Sequence, residues 1–448
     1  MLKYKVLKTI FTLFFCFASS TLMGQIIWDF NDPINVADDS YGNNCPRLVI
    51  DNFSNPVVLI GKPNEGLYIV TSEDGVFNSP HLIPTEGNVF MNNTQGPHLT
   101  TYENSIGLSY KIDGQGSTGA RFIRSNDNGF TWNEPINIAP NANLDHVMPI
   151  SAFDSDGNPF IAVKIGDVPN VQEGVLRSID GGESFLIVEH ANSGVGNGIA
   201  CECCPSSTIF GNGRYYSIYR RNQDNLRDFW LISSEDGINW DQHLDLDPSD
   251  WQLNGCPSSG AKTNWLPDGR LASVFMTGGS GSPQIYLNLS NPVNDDPGST
   301  TMLTVNQFDN PNQNQPHISC GTTHTAVVWE QIDGGFEIKL ALAPNVDLPG
   351  GLIDIAISPS ESLEGSNRHP EVEIVDDKIH VIWQNSTDGT VKYLRGSILN
   401  TNSITTPSTY KSLVKIIDAL GREVNHATNQ MLLHIYDDGS VEKKFVVE

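Results

Sequence analysis

Positive charge is scarce in this sequence: 26 Lys and Arg residues stand against 52 Asp and Glu, a formal net charge of -26 over 448 residues. No basic cluster offsets the imbalance, and such a surface repels nucleic acid and anionic lipid, so neither is expected as a partner. Charged residues of both signs make up only 17% of the chain. The one pronounced apolar run, Ile10 to Phe17, is too short for a permanent membrane span, and no integral span is expected. Helical periodicity is missing beyond that run. What is abundant is glycine and proline, 40 and 26 residues, beside 38% hydrophobic content. That combination supplies a large core interrupted by many turns, and it predicts an all-β chain of short strands.

The N-terminus has its own logic. Lys3, Lys5 and Lys8 precede the apolar run, small residues Ala18, Ser19 and Ser20 follow it, and the sequence then turns polar near Gly24 and Gln25. This order predicts a secretory signal peptide over residues 1–24. Its removal takes Cys16 and leaves six cysteines: Cys45, Cys201, Cys203, Cys204, Cys256 and Cys320. An even number in an exported chain favours disulfides.

Residues 25–399 repeat. Each unit opens with a proline, runs through an alternating apolar strand and a turn, and reaches a second apolar strand. The opening prolines are Pro46, Pro97, Pro149, Pro205, Pro257, Pro316 and Pro370, spaced by 51, 52, 56, 52, 59 and 54 residues. Second strands fall at Val57–Gly61, Ile106–Tyr110, Pro159–Val163, Tyr215–Tyr219, Leu271–Phe275, Ala326–Trp329 and Ile379–Trp383. Asp156-Gly157, Asn212-Gly213 and Asp268-Gly269 supply the positive φ of the hairpin turns before three of them. Units of this length and content are propeller blades, and the count predicts seven, with six as the alternative if the unit after Pro316 is irregular. The last unit lacks a final strand. Ile26-Ile27-Trp28 and Ile34-Asn35-Val36 have the form of the missing piece, so the N-terminal segment is expected to close the ring and remove its free edge.

Several turns carry a more specific signature. Ser125-Asn126-Asp127-Asn128-Gly129-Phe130-Thr131-Trp132 is followed in the next units by Ser178-Ile179-Asp180-Gly181-Gly182-Glu183-Ser184-Phe185 and Ser234-Glu235-Asp236-Gly237-Ile238-Asn239-Trp240. These turns resemble the Asp-box of sialidase-like β-propellers. Locally, the Asp carboxylate accepts backbone N–H groups, the glycine takes a left-handed conformation, and the aromatic packs beneath. The resemblance therefore implies a structural role for Ser125, Asp127, Gly129, Trp132, Ser178, Asp180, Gly182, Phe185, Ser234, Asp236, Gly237 and Trp240, away from the catalytic face. Working sialidases clamp a substrate carboxylate with three arginines and use a Tyr–Glu nucleophile with an Asp acid/base. Where the family opens its first blade with Arg-Ile-Pro, this chain has Asn44-Cys45-Pro46; the similar Arg368-His369-Pro370 lies in the last unit.

After a Thr-, Ser- and Asn-rich linker at 400–408, residues 409–448 abandon the blade pattern. Lys415-Ile416-Ile417-Asp418-Ala419-Leu420-Gly421-Arg422, then Ile435-Tyr436-Asp437-Asp438-Gly439, then Ser440-Val441-Glu442-Lys443-Lys444 resemble the type A sorting domain of the type IX secretion system of Bacteroidota. The resemblance implies a small β-sandwich-like module, recognition by that secretion machinery, and a secreted or cell-surface protein. The alternative is a small β-module packed on the ring.

Chemistry is expected where a ring gathers its loops, at the channel mouth. Candidate ligand contacts there are Arg47, His98, His146, His317 and Arg368, with His369 and Glu371 as candidate acid or base. Near the opening prolines of the fourth and fifth units lie Cys201, Cys203, Cys204 and Cys256. Two readings stay open for them: a disulfide staple between adjacent blades, or a soft-metal site completed by histidine and Met148. No cofactor is assured; Ca or a soft metal at this rim is the candidate. Three functions follow in order: a glycan-acting enzyme of divergent exo-glycosidase or lyase type, a non-catalytic glycan or glycoprotein adhesin, and a soft-metal protein.

Overall fold

The computed structural model describes residues 27–92, 95–115, 119–138, 146–303, 312–332, 335–358, 367–399, 413–418, 422–424, 430–436 and 441–446. The signal-peptide and linker expectations lie outside these residues. Among them there is no α-helix, only three single 3-10 turns, at Asp39–Tyr41, Pro292–Asn294 and Asn345–Asp347. No helix of the described residues is long and apolar enough to cross a membrane.

Seven antiparallel sheets make a seven-bladed β-propeller. The innermost strands of blades 1 to 7 are Arg47–Ile50, His98–Tyr102, His146–Phe153, Ser207–Gly211, Lys262–Trp265, Asn312–Cys320 and Asn367–Val375. The expected second strands all fall within the second strands observed, such as Pro56–Lys62 and Leu271–Thr277. These read as near-continuous apolar runs because both faces are covered by neighbouring blades. Val57, Val58, Leu59 and Ile60 are at most 1% exposed. The core is accordingly divided into interblade layers: Leu59 and Ile69 of blade 1 pack with Leu108 and Ile123 of blade 2, and Ile218 and Leu231 of blade 4 with Leu271 and Phe275 of blade 5. Burial of each such side chain contributes about 1.5–3 kcal/mol.

The ring closes as the sequence predicts. Ile27–Phe30 and Ile34–Asn35 both pair with Thr390–Leu399, completing blade 7 from the far end of the chain. Ile34 lies opposite Tyr393 and Asn35 opposite Lys392. The unit after Pro316 is no irregularity; its first three strands span nine residues each. One register does differ from expectation. Blade 5 opens at Lys262, so Ala261 rather than Pro257 stands before its first inward residue. The extra residues between Cys256 and Lys262 form a loop whose start is tied to blade 4 by a disulfide.

The sequence spanning the Asp-boxes folds as turns between third and fourth strands. In blade 2, Asp127 Oδ1 accepts from Ser125 Oγ at 2.8 Å and from the Thr131 N–H at 2.7 Å, while Oδ2 accepts from Thr131 Oγ1 at 2.6 Å. Asp180 repeats this with Ser178 and Ser184. Asp236 accepts from Ser234 and from Ile238 and Asn239. These bonds hold the carboxyls below the ordinary carboxylate range, Asp180 at about 2 and Asp127 against a partial opposing effect of burial. Trp132 Nε1 donates to Gly129 O at 3.2 Å, and Phe185 stacks edge-on with Phe122, centroids 5.7 Å apart.

Separately, Leu413–Asp418, Gln430–Tyr436 and Val441–Val446 form one three-stranded antiparallel sheet. Within it, Asp418 Oδ1 accepts the Arg422 N–H at 2.9 Å and Oδ2 the Arg422 Nε–H at 2.7 Å.

Candidate functional site

At the start of its first strand each blade sends one residue into the central channel. In chain order these are Arg47, His98, Ile150, Ser206, Lys262, His317 and Glu371. They follow the opening proline, or Ala261 in blade 5. The residues before the proline (Cys45, Gly96, Met148, Gln315 and His369 among them) form the rim above. The mouth is a narrow cavity of about 50 Å3, continuous through the same seven residues with a channel of about 340 Å3 that reaches Glu373.

The rim is built on uncommon backbone. Cys45, Met148, Gln315 and His369 have φ of 48°, 55°, 47° and 50°, each immediately before a proline. A residue in that position normally stays extended, and a non-glycine residue held left-handed costs about 1–3 kcal/mol. In blades 3, 6 and 7 a β-bulge accompanies it, between Val147 and Ile150, Asn314 and His317, and Arg368 and Glu371. The bulge breaks the alternation of the strand and turns the residue after the proline toward the axis.

Charges inside the channel are paired across blades. Glu371 Oε1 lies 3.4 Å from Arg47 Nη1 and 4.0 Å from Lys262 Nζ. Its Oε2 accepts the Leu48 N–H at 2.6 Å. Arg47 also donates to the Pro97 and Pro46 carbonyls, at 2.9 Å each. Burial, opposed by Glu371, holds the Lys262 ammonium below its usual value. The imidazoles are kept neutral. Burial pushes His317 down to about 4, opposed by Glu371 and helped by Lys262 and Arg47, and burial with the same cations takes His98 well below its ordinary value. His317 Nδ1 accepts from the Val372 N–H at 3.4 Å, while His98 Nδ1 is buried without a hydrogen-bond partner. Deeper in, burial lifts the Glu373 carboxyl to about 8, opposed by a 2.9 Å hydrogen bond from Ser319 Oγ and assisted by Glu371.

The structure thus brings Arg47, His98, His317 and Glu371 together, and His369 joins them at the rim, where burial takes its imidazole to about 3. Arg368 turns elsewhere: its Nε donates to Glu330 Oε1 at 3.1 Å, and its guanidinium lies 4.3 Å from the Phe336 ring centre. The side chain of His146 lies outside the described residues; its backbone pairs with Ile165. Lys262 and Glu373 were missed. The misplaced opening of blade 5 hid Lys262, and Glu373 shows only as the i+2 partner of Glu371 on the same strand face.

The cysteines form two bridges, Cys201–Cys204 and Cys203–Cys256. The second staples blade 4 to blade 5, one of the two readings the sequence left open. Three of the sulfurs lie within 4.8 Å of one another, but bridged sulfur offers no thiolate to a soft metal. Cys45 and Cys320 are free. Cys45 Sγ donates to the Asn92 carbonyl at 3.0 Å, with the Gln95 carbonyl at 3.3 Å.

No protein-family profile matches the chain, and neither does any curated protein. Among solved structures, a family 25 polysaccharide lyase, an ulvan lyase, aligns with a TM-score of 0.50 at 12% identity, over 80% of this chain and 94% of its own. A Penicillium chrysogenum α-L-arabinanase aligns at 0.44 and 16%, over 68% and 95%. Trypanosoma rangeli sialidase aligns at 0.42 and 11%, over 83% and 60%. The likeness is one of fold. The neighbours are sialidase-like and other glycan-active β-propellers, and at these identities they assign no residue of this channel a role.

Proposed function

We propose that this is an exported propeller that cleaves extracellular glycans at its channel mouth, as a divergent exo-glycosidase or lyase. The observation that carries the reading is the Arg47–Glu371–Lys262 network beside two neutral imidazoles, all on one ring. Two cations within 4.0 Å of one carboxylate give an anionic sugar substituent a place to bind inside a strongly acidic protein. Glu371 is then the general base and the neutral imidazole of His317 or His369 the proton donor-acceptor. Export rests on the N-terminal signal-peptide pattern and the C-terminal likeness to a type IX sorting domain, which imply passage through the outer membrane.

A second reading, a non-catalytic glycan or glycoprotein adhesin, is favoured by the mouth's volume of about 50 Å3. A mouth this tight, set against the about 300 Å3 or more of pockets that engulf small ligands, meets a sugar at its rim before the channel of about 340 Å3 below it.

The test is a screen of the mature chain against acidic and neutral polysaccharides, reading new reducing ends, unsaturated products and binding heat. Turnover by the wild type that falls by about 100-fold or more in Glu371→Gln supports catalysis at this site. Binding without turnover, weakened by Arg47→Gln, selects the adhesin. No binding to any glycan overturns both.

A further inference from the structure

The staple between blades 4 and 5 holds two disulfides in contact with one another, and neither glycan reading uses them. Access to the four sulfurs is graded. Cys256 is exposed and Cys203 half-buried, while Cys201 and Cys204 show no exposed surface. The Sγ of Cys201 lies 3.6 Å from the Sγ of Cys203, so a sulfur of one bridge touches a sulfur of the other. Disulfides rearrange when a thiolate reaches a bridged sulfur, and here the second thiolate would be born at contact distance.

We propose that these bridges are a thiol–disulfide exchange site whose co-reactant is an external dithiol, entering at Cys256 and ending at Cys204. The external thiolate attacks Cys256 Sγ, forming a mixed disulfide and releasing Cys203 as thiolate. Cys203 attacks Cys201 Sγ; a Cys201–Cys203 bridge forms, the Cys201–Cys204 bond breaks, and Cys204 leaves as thiolate and takes up a proton. The second thiol of the reagent then loses its proton, attacks the sulfur of its own mixed disulfide and expels Cys256. Two electrons pass from the dithiol, which becomes a cyclic disulfide, to the protein, which ends with Cys204 and Cys256 reduced. The output lies beside the candidate site, because Cys204 is followed by Pro205 and Ser206 of the channel mouth. Exchange therefore removes the blade 4–blade 5 tether where it adjoins the channel.

The experiment treats the mature protein with limiting dithiothreitol, traps free thiols by alkylation, and maps bridges by peptide fragmentation. The starting connectivity is expected to be Cys201–Cys204 and Cys203–Cys256. After limited reduction, Cys256 and Cys204 are expected to carry label together with a Cys201–Cys203 bridge. Cys203→Ser should leave Cys204 unlabelled under the same treatment. Should that variant fold poorly, Cys256→Ser gives the opposite and stronger readout: Cys203 is freed without reductant, and the Cys201–Cys203 bridge with labelled Cys204 should form unaided. Label on Cys203 with an intact Cys201–Cys204 bridge in Cys256→Ser, or labelling of Cys201 and Cys204 in parallel in the wild type, overturns the proposal. Cys45 and Cys320, free in every sample, give the background.

Discussion

Arg47 and Glu371 stand 324 positions apart in sequence and meet at 3.4 Å across the seam between the first and last blades. The same carboxylate takes the Leu48 N–H, so one side chain both joins the seam and charges the channel.

Glu371→Ala should therefore destabilise the ring, by about 1–3 kcal/mol, because it leaves the Leu48 N–H and the Arg47 guanidinium without their buried partner. Glu371→Gln keeps an acceptor for Leu48 and should lose less. Urea denaturation of the two variants separates the structural share from any loss of glycan turnover.

Acid should unfold the protein through its buried histidines, those of the channel and His380 in the second strand of blade 7. In the unfolded chain an imidazole binds its proton near 6.5, whereas His317 titrates at about 4, His380 at about 4 and His369 at about 3 in the fold. Depressed folded values mean stability that is present above 6.5 and lost as pH falls toward 4 and below. Glu373 has the opposite sign: raised to about 8, it contributes stability below its unfolded value that is lost as pH rises through 8. Midpoints measured from pH 4 to 9 should fall at both ends, with His317→Gln flattening the acid limb and Glu373→Gln the alkaline one.

Gly96 is fixed by space. A methyl group there would lie 2.7 Å from Cys45 Sγ and Cβ. Gly96→Ala should cost about 1–3 kcal/mol by overpacking, and Cys45→Ala in the same chain should recover part of it. A double-mutant cycle in urea would show that coupling; strict additivity would mean that the two sites do not press on each other.

The Asp-box turns should bear on stability alone. Asp127→Ala removes acceptors for Ser125 Oγ and both Thr131 donors, an expected loss of about 1–2 kcal/mol. Glycan binding or turnover at saturating protein stability should not change, because the turns between third and fourth strands lie at the end of the ring opposite the mouth.

The sequence by itself determined the architecture, because blades are local. Each is a run of neighbouring antiparallel strands whose apolar patterning, Asp-Gly or Asn-Gly turns and Asp-boxes are written within one unit. Ring closure was legible too, since Ile34-Asn35 has the form of the strand that the last unit lacks. What only the tertiary structure decided is which side chains share the channel. One register change sufficed to hide it: Pro257 has the form of a blade opening, yet the loop tied by Cys203–Cys256 moves the inward position to Lys262. Left-handed residues before prolines at Met148, Gln315 and His369 turn Ile150, His317 and Glu371 toward the axis, a bulge that strand alternation does not announce. Arg368, sequence neighbour of the rim, is drawn off by the buried carboxylate of Glu330, a partner in another blade. Partners so far apart in sequence are chosen by closure of the ring, and no local pattern records them.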